Sequence, residues 1–220
     1  KHFYRALEIE PEFALAYFHL AGHLERNNEL TEAKMHYQKA SDVDQNFVEA
    51  YFNLARILIT PAEYDQAVRN YETAIEIDPV HAKSHYWLAK LLAGGSRLTA
   101  DGTLVKEPKL DIAEHHFRRA IDIDPKYSKA HFRLGLLLSE LLHYGDAYKH
   151  YSEALSINPG YSEAHYRMAV LLMDPAASED LLSKKNKINS PSKPTLSAKK
   201  ETSSTKLKIK RKPRSVPKEK

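Results

Sequence analysis

Apolar and small residues recur along this chain at helical spacing, and the whole arrangement then recurs at a much longer period. Within 48–81, Ala50, Leu54 and Leu58 fall on one face of a first helix, and Ala67, Tyr71 and Ala74 on one face of a second. Polar residues fill the positions between them, the pattern of two successive amphipathic helices. The pattern returns every 34 residues: Ala33, Ala67 and Ala147 share a column, which Ala113 joins after a 12-residue insertion. Tyr37, Tyr71, Phe117 and Tyr151 form a second column, Ala40, Ala74, Ala120 and Ala154 a third, and Leu20, Leu54, Leu88, Leu134 and Met168 a fourth. Pro11, Pro79, Pro125 and Pro159 follow the second helices, with Gln45 in the place of the missing proline; a ring without an N–H stops further winding there. A fixed period of this kind marks a solenoid, in which each helix pair buries its apolar face only against the next.

The small-x3-aromatic-x2-Ala element appears as Ala33/Tyr37/Ala40, Ala67/Tyr71/Ala74, Ala113/Phe117/Ala120 and Ala147/Tyr151/Ala154. With the proline column it resembles the tetratricopeptide family over residues 2–173. That resemblance implies an all-α, right-handed solenoid of helix-turn-helix repeats whose first helices line a concave groove. Full units are expected at 14–47, 48–81, 82–127 and 128–161. Residues 2–10 read as the second helix of a truncated unit, 162–173 as the first helix of a last one, and 176–187 as a weak capping helix. The solenoid is thus expected over 1–182 and a disordered tail over 183–220. Lys1-His2-Phe3-Tyr4 opens in the middle of a repeat, so the chain reads as a fragment. The insertion in the third unit, 94–105, carries Asp101-Gly102 between short Leu/Thr/Val runs and is expected to be a mobile loop or a small β-ribbon.

The register also names the groove that the resemblance implies. Phe18, Phe52, Tyr86, Phe132 and Tyr166 form an aromatic column, which is either packing between helices or the floor of a binding surface. Beside it lie His19, Asn53, Trp87, Arg133 and Arg167, with Arg56 and Lys90 one turn on and Lys129 one turn before Arg133. Aromatic and arginine side chains are frequent interface anchors, and the guanidinium fork grips carboxylates. The expected ligand is therefore a protein or peptide, acidic in character. The carboxylate clamp by which some tetratricopeptide domains hold chaperone C-terminal peptides does not fit. Lys129 and Arg133 match its last pair, but Phe52, Arg56 and Trp87 occupy its other slots; one unit earlier, Asn53 and Lys83 match while Phe18, Gly22 and Trp87 fail.

Candidate chemistry adds little to this. The chain has no cysteine, which removes disulfides and thiolate chemistry and fits a reducing compartment. It has 12 histidines, but His85, His131 and His165 repeat about a helix pair apart, roughly 10 Å, too far to share one ion. His81 and His85 lack a third ligand nearby, so surface or interface histidines are expected and neither metal nor cofactor. There is no phosphate-binding glycine loop and no nucleophile elbow. No catalytic residue is proposed from the sequence; the enzyme alternative is a regulatory repeat fragment of a larger enzyme. No apolar run approaches the length of a membrane span.

Charge divides the chain in two. Residues 183–220 hold 12 lysines, Arg211 and Arg214 against Glu201 and Glu219, so the net charge of +4 splits into +12 on the tail and −8 on the remainder. The tail has no aromatic residue and is rich in Lys, Ser, Pro and Thr, a composition that cannot offset chain entropy by burial. Its densest run, Lys206, Lys208, Lys210, Arg211, Lys212 and Arg214, suits nuclear import, nucleic acid or another polyanion. Cytoplasmic or nuclear placement follows as an expectation, with a nucleic-acid-associated adaptor as the alternative to a protein-binding scaffold.

Overall fold

A computed structural model describes residues 1–58, 60–94 and 108–189. These contain α1 (His2–Ile9), α2 (Ala14–Arg26), α3 (Leu30–Val43), α4 (Val48–Ile57), a 3-10 turn (Pro61–Glu63) and α5 (Tyr64–Ile77). They continue with α6 (Ala82–Gly94), α7 (Leu110–Ile123), α8 (Ser128–Glu140), α9 (Tyr144–Ile157), α10 (Ser162–Met173) and α11 (Pro175–Asn189), with no strand among the described residues. Each helix packs on its neighbours in the chain, most extensively within the pairs α2/α3, α4/α5, α6/α7 and α8/α9, and the first helices α6, α8 and α10 also touch in turn. The result is an all-α solenoid. Of the loop or ribbon expected at 94–105, Gly94 ends α6 and the rest lies outside the described residues, as does the tail from 190 onward.

The end of each second helix shows how the sequence directs the chain. Asp44, Asp78 and Asp124 donate their backbone N–H to the carbonyls of Ala40, Ala74 and Ala120, each at 3.0 Å. Their side chains then accept from the amides of Asn46 (3.0 Å), Val80 (3.1 Å) and Lys126 (3.0 Å), a local turn that favours Asp here. These acids shape the linker. Phe47, His81, Tyr127 and Tyr161 end the linkers.

Those linker residues explain the aromatic column. Each of Phe18, Phe52, Tyr86 and Phe132 lies between an aromatic of its own second helix and the ring that ends the following linker. Phe132 meets Tyr151 at 6.0 Å and Tyr161 at 4.8 Å between centroids, and Tyr86 meets Phe117 at 6.0 Å and Tyr127 at 4.9 Å. Phe52 and Phe18 repeat the arrangement with Tyr71/His81 and Tyr37/Phe47. Phe52, Tyr86 and Phe132 are buried, Phe132 completely. The helices come closest at Gly135, where an added Cβ would lie 2.8 Å from the Tyr151 ring; Ala21, Ala55 and Ala89 hold this register position in the earlier units.

The C-terminal end departs from the sequence reading. α11 runs through 183–189, which composition assigned to the disordered tail. Pro175 sits in its first turn, where a missing N–H costs nothing, and the Asp174 carboxylate accepts from the Ala176 amide at 2.9 Å. α11 packs on both α9 and α10 and buries Ala177. It contains neither an aromatic nor a histidine, so Tyr166 has no counterpart to Tyr151 and stays 63% exposed.

Candidate functional site

The face expected to be a groove divides into two electrostatically different halves. In the first, Arg56 on α4 reaches back to the Glu25 carboxylate on α2 at 2.7 Å, and Glu25 also accepts from the Tyr37 hydroxyl at 3.0 Å. The Asn53 side-chain oxygen takes two further bonds from the Arg56 guanidinium, at 3.1 and 3.3 Å, while its amide donates to the Glu49 carbonyl. Burial and the Glu25 carboxylate push the Tyr37 hydroxyl well above the ordinary tyrosine range. Arg56, Asn53, Glu25 and Tyr37 thus find their partners within the protein. Lys34 and Glu63 tie the same two helix pairs together on another side, at 2.5 Å.

In the second half the cations are not neutralised. Lys90 on α6 and Lys129 and Arg133 on α8 have no carboxylate partner among the described residues. The Lys90 ammonium lies 4.3 Å from the centre of the Trp87 ring, a cation–π arrangement that holds the charge without neutralising it. Burial, then the charges of Arg133 and Lys129, push its pKa below the ordinary lysine value. Arg133 and Arg167 each lie 5.9 Å from the centre of an adjacent ring, Phe132 and Tyr166. Arg167 also lines a cavity of about 140 Å³ between α8, α9 and α10, together with Glu140, Ser139, Tyr151 and Asp174. Burial raises the Tyr151 hydroxyl to about 12.

The structure therefore sorts the expected site residues. Phe52, Tyr86 and Phe132 do not floor a groove, because their rings are enclosed by aromatics on both sides, and Phe18 is half-buried in the same kind of contact. Asn53 and Arg56 are occupied by internal bonds. Trp87 and Lys90 are in contact, and Lys129 and Arg133 stand on the neighbouring first helix close enough for their charge to be felt at Lys90. Tyr166 and Arg167 lie at the far end. Glu25, which neutralises Arg56, was missed by the sequence reading; its only signal was a carboxylate on the first helix before Arg56. The basic residues Lys206, Lys208, Lys210, Arg211, Lys212 and Arg214 lie outside the described residues.

The histidines also differ from expectation. His85 and His131 are buried, and each meets a histidine of the second helix: His85 Nδ1 lies 2.9 Å from His116 Nδ1, and His131 Nδ1 3.2 Å from His150 Nδ1. The other nitrogen of each, Nε2, is 3.2 Å from the Pro79 or Pro125 carbonyl. A carbonyl can only accept, so Nε2 carries the proton, Nδ1 is the acceptor and the partner histidine donates. Burial, followed by neighbouring histidine charge, lowers His116 and His150 to about 4. His165 makes the same bond to the Pro159 carbonyl at 2.9 Å. Among the described residues no group of three or more His, Asp or Glu is placed to hold a metal ion, and no helix is long and apolar enough to cross a membrane.

Paired helices stacked in register, with small residues where they touch and an aromatic ring wedged at each junction, define a helical-repeat protein. Family models match at residues 63–94, as a TPR repeat, and at 128–161, as a tetratricopeptide repeat. The chain carries tetratricopeptide repeats at these positions. Its fold is shared by YrrB, described as a TPR protein with an unusual peptide-binding site (22% identity, 86% of this chain and 93% of that one, TM-score 0.64). It is shared also by MamA from Desulfovibrio magneticus RS-1 (14%, 80% and 92%, TM-score 0.63) and PilF of Pseudomonas aeruginosa (18%, 86% and 82%, TM-score 0.63). No curated protein matches the chain. The family matches support a protein–protein interaction scaffold, a class that is generally non-catalytic.

Proposed function

We propose that this protein holds an acidic peptide of an assembly partner along the face formed by α6, α8 and α10, with Trp87, Lys90, Lys129 and Arg133 as the main contacts. The observation that carries this reading is the contrast in charge pairing: Arg56 is bound to Glu25, whereas Lys90, Lys129 and Arg133 have no carboxylate partner among the described residues. A desolvated, unpaired cation weakens the fold that carries it, and an anionic partner would relieve that cost. Trp87 supplies rigid contact area beside the charges, the combination that most often dominates interface energetics. The +12 tail supports a second reading, in which its basic run binds nucleic acid and the solenoid recruits other proteins; cytoplasmic or nuclear placement belongs with both.

Affinity capture tests the proposal, comparing the intact chain, the Lys129→Glu/Arg133→Glu variant and residues 1–189, each with and without nuclease. A partner lost from the double variant but retained by 1–189 and after nuclease supports the groove. A partner retained by the double variant and lost on nuclease treatment or tail removal favours the nucleic-acid reading.

A further inference from the structure

Lys90 lies against the Trp87 indole, and the charges of Lys129 and Arg133 on the next first helix reach that lysine. Lys129 and Arg133 are one turn apart on α8, so their side chains project from one face of that helix. Lys90 comes from the neighbouring first helix, α6, and lies against the indole 4.3 Å from its centre. The two helices touch directly, and their spacing is set by the Tyr86–Tyr127 ring contact at 4.9 Å, which joins α6 to the linker entering α8. Tyr86 is buried, as is Phe132 beside Arg133, so the backbones presenting these charges are fixed by packed aromatics. The charge of both Arg133 and Lys129 is felt at Lys90. No carboxylate among the described residues answers any of the three.

This arrangement carries more charge than one carboxylate can balance. A carboxylate brings one negative charge and two oxygens. A phosphate monoester brings about −1.5 to −2 at pH 7 and three acceptor oxygens, one for each of two ammonium groups and a guanidinium fork, which binds phosphate well. The first half of the same face provides the counter-example, since one cation, Arg56, is matched there by one carboxylate, Glu25, at 2.7 Å.

We propose that Lys90, Lys129 and Arg133 form a phosphate-monoester site and that the preferred ligand is a peptide carrying a phosphorylated side chain, its neighbouring residue resting on Trp87. The inference rests on the peptide-groove reading and specifies its ligand. Partner binding would then be switched on by phosphorylation of the partner.

Trp87 is the one tryptophan in the chain, so its emission reports on this site alone. The intact chain is titrated at constant ionic strength with three peptides, Ac-Ala-Ala-phosphoSer-Ala-Ala-NH2 and its Glu and Ser analogues. The phosphopeptide is expected to bind about tenfold or more tightly than the Glu peptide, with the Ser peptide silent. Lys129→Gln/Arg133→Gln should abolish the difference, and Arg56→Gln should preserve it. Lys90→Gln, checked for retained helicity by circular dichroism, provides an independent loss of binding should the double variant misfold. Equal binding of Glu and phosphoSer peptides overturns the phosphate assignment and leaves the acidic-peptide reading standing. Silence from all three removes both. An unmodified oligo(U) that binds through the same residues more tightly than the phosphopeptide also overturns the assignment, in favour of nucleic acid.

Discussion

The helix pairs α2/α3 and α4/α5 and the pairs α6/α7 and α8/α9 use one architecture and spend their polar residues in opposite ways. The first two pairs are joined by bonds that cross between them: Arg56 to Glu25 and Lys34 to Glu63. The last two hold histidine pairs within each unit. Their ion pairs, such as Arg118–Glu114 and Lys149–Asp146, stay within one helix, while Lys90, Lys129 and Arg133 have no carboxylate partner among the described residues. At a single register position the residues run Tyr17 and Tyr51, then His85 and His131; their partners run His36 and Asn70, then His116 and His150. The lesson is that repeat symmetry specifies which side chains meet, and the residue chosen at each meeting decides whether a unit is closed on itself or left open for binding.

The largest effect expected concerns the aromatic column. Phe132 is enclosed by Tyr151 and Tyr161, so Phe132→Ala should cost about 3–5 kcal/mol, read as a fall in the denaturant midpoint. Tyr166→Ala, at the same register position but uncovered, should stay within about 0.5 kcal/mol. Equal losses would contradict the account of the column as packing whose last member is unpartnered.

Acid should separate the two regions next. His116 and His150 have folded pKa values of about 4 against about 6.5 when unfolded, so the unfolded chain binds more protons between these limits. Their contribution is complete above about pH 6.5 and is lost as pH falls towards 4. Glu63 behaves differently. Burial pushes its carboxyl up, but bonds from Lys34 and Thr60 outweigh this and hold it at about 2. What Glu63 contributes therefore persists to about pH 4.5 and disappears only as pH falls towards 2. Thermal unfolding from pH 7 to 4 should show a steep loss in the intact chain and a shallower one in His116→Asn/His150→Asn, which copies Asn70. Identical slopes would show that the histidine pairs do not set the acid response.

A smaller difference lies in the helix–helix turns. Asn28 and Leu142 occupy the same register position, with φ of 63° and 61°. Asn tolerates this left-handed conformation, and Leu does so at a cost of roughly 1 kcal/mol or more. Leu142→Gly should raise the melting temperature by a few degrees, and Asn28→Gly should change it less. A drop on Leu142→Gly would mean that the exposed leucine makes a contact worth more than the strain.

The all-α repeat fold was legible because its signals are local and periodic: small residues, an aromatic and a proline at fixed offsets each describe one helix and its end. The site was less legible because its meaning lies in contacts across the repeats. Arg56 and Arg133 look alike as residues beside the aromatic column, and only the approach of Glu25, 31 residues earlier, distinguishes them. The burial of Phe132 depended on Tyr161 at the end of the next linker. A trace of that was present, since Phe47, His81, Tyr127 and Tyr161 share a column. The His85–His116 contact spans the insertion, its partners 31 positions apart, and nothing in the local pattern announced it.

The central claim is that the second half of the face formed by the first helices, and not the first half, receives the anionic ligand. Trp87 emission during titration with a Glu-rich peptide tests it most directly, comparing the intact chain with Lys129→Glu/Arg133→Glu and with Arg56→Gln. The account predicts a saturable shift that disappears in the double variant, survives in Arg56→Gln and weakens with added salt. A shift that survives in the double variant and is lost in Arg56→Gln would place the ligand on the first half and contradict the account.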